Sequence, residues 1–128
     1  MIRERALKIV MVVVGLFFVA GIYPLIMTVR TAWEANNEDS TPMMLSLYMT
    51  LGIFLLLAVR NPSAHRSLIA FTAWSSFAHA AVMAVMAIHV TSAREGLLMV
   101  GVLLCFIGIA LIVLAPAKLS GERVSAVA

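Results

Sequence analysis

The chain has 128 residues, 63% of them hydrophobic and only 12% charged, with a formal net charge of +3 and a single cysteine. Soluble domains carry about 25% charged residues, so this composition, with a mean hydropathy of +1.08, argues against a water-soluble globule, and one thiol excludes an intrachain disulfide or a dithiol-exchange centre. The basic balance does not point to nucleic acid, because the cations are placed by the chain's layout.

Four runs lack any Asp, Glu, Lys or Arg: residues 9–29, 43–59, 68–90 and 97–114. A helix satisfies its own backbone polar groups, and about 20 apolar residues cross the roughly 30 Å hydrocarbon core of a bilayer. The expected fold is therefore all-α, an integral membrane four-helix bundle with up-down-up-down topology, forming one transmembrane domain over residues 1–128.

Helix one is predicted over residues 6–29. It is too long and lacks a clean small-residue cleavage site for a secretory signal peptide, so it is expected to be retained. Pro24 removes a backbone donor and predicts a kink in the outer third. A loop over residues 30–41 follows, with Trp33 at the interface and an acidic stretch from Glu34 to Asp39 that reads as a solvated loop without recognised cation-ligand spacing. Helix two, residues 43–59, is capped by Ser40 or Thr41, with Pro42 in its first turn. The connection over residues 60–62 is short enough to make helices two and three antiparallel neighbours. Helix three, residues 63–90, takes Asn61 as its cap. Helix four spans residues 97–115 and stops near Pro116, leaving a short tail over residues 118–128.

This layout sorts the charges. Arg3, Arg5, Lys8, Arg60, Arg66, Lys118 and Arg123 fall on one side, against Arg30 and Arg94 on the other, where Glu34, Glu38, Asp39 and Glu95 also lie. The positive-inside rule then places both termini in the cytoplasm. Arg60, His65 and Arg66, at the cytoplasmic turn, are candidates for contact with lipid phosphates or a partner.

Lipid is as apolar as the helices it surrounds, so small residues that allow close approach must supply the packing. Ala73, Ser76, Ala80 and Ala84 form such a stripe on helix three, and Gly101, Cys105 and Gly108 share one face of helix four. Cys105 is expected to be a buried small residue.

Polar chemistry inside the membrane concentrates on helix three. Trp74, Ser75, Ser76 and His79 form the candidate ligand-binding group, because His79 lies three and four residues beyond Ser76 and Ser75 and shares their face. An ionisable group at this depth is a functional hypothesis by default; the competing reading is a packing histidine satisfied by the serines or a backbone carbonyl. His65 precedes His79 by fourteen residues, a separation suited to two haems only if a second helix brings partner histidines. No other helix has one, so haem ligation would take a symmetric dimer. Seven of the eight internal methionines fall in the outer helix halves. Met83, Met86 and His89 are the weak metal candidate, since thioether and imidazole suit Cu(I), although methionine is also a common adaptable filler of apolar packing.

Several activities lack their residues. No carboxylate lies within a span for proton-coupled export. Ser75 or Ser76 with His79 on one helix cannot assemble a hydrolytic triad, and phosphate-binding glycine loops are absent.

The string from Leu51 through Ala58, Val59, Arg60, Asn61 and Pro62, then His65-Arg66-Ser67-Leu68-Ile69, then Trp74-Ser75-Ser76 with His79, resembles a family of small uncharacterised bacterial membrane proteins. More loosely, the four-helix layout with an Arg-x-Pro-x-x-His-Arg turn is similar to the DoxX-like superfamily, some of whose members are membrane subunits of quinone-linked sulfur oxidation; no residue here carries that activity over. The resemblance implies the bundle and a bacterial inner-membrane location.

With no catalytic constellation, the leading expectation is a non-catalytic accessory or scaffold subunit of a larger membrane complex, or a homo-oligomer, with lipid and another membrane protein as partners and no nucleic acid. The alternative is a redox or ligand-binding membrane protein holding a quinone, haem or lipid-like molecule around His79. No cofactor is required by the residues themselves.

Overall fold

The computed structural model describes residues 2–35 and 40–116, and all of its regular structure is helical. Five α-helices follow one another: α1 (Ile2–Ala20), α2 (Ile22–Ala35), α3 (Thr41–Ala58), α4 (Arg66–His89) and α5 (Arg94–Leu114). Short 3-10 turns at Pro62–His65 and Thr91–Ala93 lead into α4 and α5. Because α1 and α2 form one nearly continuous rod, the described residues offer four helices long and apolar enough to cross a membrane: Ile2–Ala35, Thr41–Ala58, Pro62–His89 and Thr91–Leu114. Part of the acidic stretch, residues 36–39, and the tail from residue 117 on lie outside the described residues.

Helix one, where a kink was expected, is interrupted a turn before Pro24. The rod breaks at Gly21, whose N–H donates to the Phe18 carbonyl at 3.1 Å, a three-residue step rather than the helical four. Proline explains the offset. A helical proline lacks the N–H owed to the carbonyl four residues back and its ring crowds that carbonyl; here that residue is Ala20, the last of α1. Beyond the break α2 regains regular bonding and runs through Arg30 to Ala35, turning the start of the expected loop into helix, with an exposed Arg30–Glu34 pair at 3.0 Å along its surface.

The start of helix three also differs from expectation. Pro62 forces Asn61 out of helical geometry, the chain makes a 3-10 turn over Pro62–His65, and the α-helix begins at Arg66 with no side-chain cap from Asn61. Ser40 does precede α3, with proline in the first turn, but it also makes no side-chain cap.

Glycines define two tight antiparallel pairs. A Cβ on Gly52 would lie 2.7 Å from Phe18 Cβ and 2.8 Å from the Gly15 carbonyl oxygen, so the backbones of α1 and α3 touch there. In the second pair, a Cβ on Gly108 would lie 2.8 Å from the Phe77 ring and 3.1 Å from the Ala73 carbonyl. Gly101, further along α5, faces Ala80 at an ordinary 3.7 Å. The expected neighbours α3 and α4 touch only sparsely, despite their short connection; α1 packs on α3, and α4 on α5, far more closely. The pairs are joined by α1 against α5, where Arg3 donates to the carbonyls of Val113 at 2.9 Å and Ala115 at 3.0 Å. Those carbonyls end α5, where the helix dipole favours a cation. Arg94 does the same for α4, donating to the Ala87 carbonyl at 3.0 Å.

The molecule is bulky outside and finely packed within. Phe54, Phe71, Phe106, Ile88 and Val113 are exposed, while α4 turns Thr72, Ala73, Ser76, Ala80 and Ala87 inward. Large core side chains gather where the chain's basic turn and first residues meet: Leu7, Met11, Leu55, Ile69 and Leu111 are all 1% exposed or less. In contrast, α2 buries no residue.

Candidate functional site

Seven polar side chains of the spans close on their own helix. Thr28 and Thr31 in α2 and Ser46 and Thr50 in α3 each donate to a carbonyl one turn back. In α4, Thr72 donates to the Leu68 carbonyl at 2.8 Å, and Ser76 and Ser75 both donate to the Thr72 carbonyl, at 2.7 and 3.1 Å. This back-bonding satisfies a hydroxyl in an apolar setting without a partner helix. It also answers one expectation: the serines are committed to backbone and do not satisfy His79.

Of the three residues grouped with His79, the structure separates one entirely. Trp74 is 66% exposed on the outer surface of α4, stacked edge-on against Phe77. Ser76 is buried between α4 and α5 and Ser75 is half-buried beside it.

His79 instead meets a residue absent from the sequence reading. Its ring lies 5.3 Å from that of Tyr48 at 79°, an edge-to-face contact, and Tyr48 in turn meets Phe18 at 5.0 Å and 74°. Such geometry is favourable for aromatic pairs. The ladder crosses α1, α3 and α4, bridging the two helix pairs where they otherwise hardly touch. Tyr48 lies ten residues before the end of α3 and His79 thirteen residues into α4. Counting outward from the short turn places them at similar depth, a match that spacing along a single helix does not show.

A cleft of about 300 Å³ opens beside this ladder. Phe17, Phe18 and Ala20 of α1, Gly21 and Pro24 at the break, Met44, Leu45 and Tyr48 of α3, His79 and Met83 of α4, and Val100 and Leu104 of α5 line it. It lies beside the break at Gly21, where α3 and α4 touch only sparsely. None of these side chains is charged. Among the described residues, neither the Tyr48 hydroxyl nor the His79 imidazole has a hydrogen-bond partner, and no buried side-chain nitrogen or oxygen lacks one. The polar atoms of these two groups are therefore not sealed in the interior, while the wall of the cleft itself is almost entirely apolar.

The other candidate residues are distributed as follows. Met83 borders the cleft with His79 and Met44, whereas Met86 and His89 are exposed. Among the described residues no three His, Cys, Asp or Glu side chains gather as a metal-ligand set. Ala73, Ala80, Gly101 and Gly108 are buried along the α4–α5 contact, but Ala84 is exposed and Cys105 only half-buried. Those two border a shallow outward groove with Ala81, Phe77 and Phe106. Arg60 and His65 are exposed at the basic turn and Arg66 is half-buried.

Residues 3–126 match the family described as a family of unknown function (DUF6632), in keeping with the resemblance to uncharacterised small proteins; nothing in the match links the chain to DoxX-like proteins. No curated protein and no solved structure matches the chain.

Proposed function

Since the chain belongs to this family of unknown function, its role must be read from its own site, and we propose that it is a non-catalytic inner-membrane protein that holds a small apolar molecule in the cleft between its two helix pairs. The bilayer reading is supported by four apolar spans and by a surface of exposed large hydrophobic side chains, with small residues at the closest helix contacts. The basic turn and both termini face the cytoplasm in this reading; reporter fusions at residues 36 and 62 are expected on opposite sides of the membrane.

One observation carries the binding role. An almost wholly apolar cleft opens between the two helix pairs, with the Tyr48 and His79 rings in its wall. Small-molecule sites are concave and lined predominantly by hydrophobic and aromatic side chains, as this cleft is. Its volume, at the small end of such sites, suits the head of a lipid-like molecule better than a haem. Mass spectrometry of small molecules retained by the purified protein tests the reading. A defined apolar species is expected with the native chain and is expected to vanish from a Met83→Trp variant, which fills the cleft; identical lipid profiles from both would refute it.

A second reading, association with a copy of itself or another membrane protein, is favoured by the groove that exposes Ala84 and Cys105 between Phe77 and Phe106. Small residues at a helix surface permit close approach in lipid. Ala84→Trp is expected to dissociate any complex seen in mild detergent, and a monomer in the native protein would end this reading.

A further inference from the structure

One end of the bundle gathers positive charge that its own contacts only partly neutralise. Gly15 against Gly52 sets the antiparallel register of α1 and α3. Counting from that contact toward the chain's start puts Lys8 level with Arg60, and Arg5 level with the Pro62–His65 turn. Arg3 reaches the Ala115 carbonyl at the end of α5. The first turns of α1, the basic turn and the end of α5 therefore share one end, with Arg3, Arg5, Lys8, Arg60 and Arg66. Among the described residues the only carboxylate at this end is Glu4.

These cations differ in what they already hold. Lys8 pairs with Glu4 at 2.9 Å, and Arg3 is committed to the carbonyls of Val113 and Ala115. Arg5 and Arg60 are exposed and, among the described residues, make no hydrogen bond or ion pair. Each stands above exposed apolar surface. Ile9, one turn after Arg5, and Leu57, in the last turn of α3 before Arg60, are 64% and 61% exposed. An arginine with a bare apolar side chain one turn deeper matches an amphiphile, whereas a free anion would use the charge alone.

We propose that this end binds phospholipid of net negative headgroup charge, with headgroups against Arg5 and Arg60 and acyl chains along Ile9 and Leu57. Clusters of Lys and Arg at the end of membrane helices attract anionic lipid in this way, and arginine suits phosphate through its planar fork of donors. The proposal rests on the bilayer reading given above and is independent of the cleft.

The test places the full chain in nanodiscs of equal parts phosphatidylglycerol and phosphatidylcholine with identical acyl chains. Native mass spectrometry then counts the lipids of each class retained on release. Phosphatidylglycerol is expected to be retained in preference. Arg5→Gln and Arg60→Gln should each lower that preference about fivefold, the worth of one cation at an anionic surface, and the double variant should remove most of it. Arg5 lies in the exposed first turn of α1, so Arg5→Gln remains informative if Arg60→Gln folds poorly. Arg30→Gln, at the opposite end, should leave the preference unchanged. Excess glycerol 3-phosphate should not displace the retained lipid; displacement would overturn the lipid assignment in favour of a free phosphate. Equal retention of both lipids, or a preference that the double variant leaves intact or that Arg30→Gln lowers as much, would overturn the proposal. A chain that does not enter nanodiscs would overturn the bilayer reading with it.

Discussion

The two halves of this bundle are built from the same helices but packed in different ways. Toward the basic turn, Leu7 and Met11 of α1, Leu55 and Ala58 of α3, Ile69 of α4 and Leu111 of α5 are all but fully buried, and Arg3 ties the start of the chain to the end of α5. Toward the other end the first rod breaks, α2 buries nothing, and a cavity opens between Phe18, Tyr48, His79 and Leu104. One half is a closed core that fixes the helices. The other uses that fixity to keep a gap open, which close-packed side chains would otherwise fill.

Substitutions separate the halves most sharply at the glycines. Gly52→Val places its Cβ against Phe18 Cβ and the Gly15 backbone within 3 Å; backbone cannot rotate away, so the α1–α3 pair must shift, at a cost of about 3 kcal/mol or more. Loss of folded protein in a denaturing-detergent titration checks this. Met11→Ala, in the closed half, should cost about 2 kcal/mol or more through the cavity it leaves, whereas Met83→Ala, beside the existing gap, should cost less than half as much in the same titration. If the two methionine variants are equally damaging, the contrast between halves is wrong.

Smaller effects sharpen the picture at the ends. Arg3→Ala removes two hydrogen bonds to the terminal carbonyls of α5 and a favourable dipole interaction, together worth about 1 kcal/mol; faster hydrogen exchange in the last turn of α5 would report it. Gly101→Ala should be neutral or stabilising by up to about 1 kcal/mol, because its Cβ meets Ala80 and Met83 at ordinary contact distance and alanine favours the helix. A melting comparison with Gly108→Ala, where Phe77 and the Ala73 carbonyl stand in the way, should show opposite signs.

The apolar runs made the spans legible, because the absence of charge over about twenty residues has few structural meanings. The stripe of Ala73, Ser76 and Ala80 against Gly101 and Gly108 was legible from spacing on each helix taken alone. What spacing could not give was rotation and pairing between helices. Gly15 and Gly52 are ordinary glycines in two separate runs until α1 and α3 are docked, and a short turn between α3 and α4 implied a contact that their divergence largely removes. The same limit hid Tyr48. Polar residues close in sequence, Trp74 and the serines, drew attention to His79, yet Trp74 points outward and the serines bond their own helix, so the partner came from a different helix at matching depth. Pro24 signalled a kink but not its place, since its effect acts on Ala20 one turn earlier.

The proposed binding role requires an open cleft in one half and a sealed core in the other, and the methionines report on both. Relaxation of ¹³C-methyl methionine signals by dissolved oxygen, which concentrates in bilayer hydrocarbon, measures that contrast in nanodiscs. Met44 and Met83 are expected to relax at rates approaching those of surface Met86 and Met99, with Met11 strongly protected. Protection of Met44 and Met83 equal to that of Met11 would contradict it.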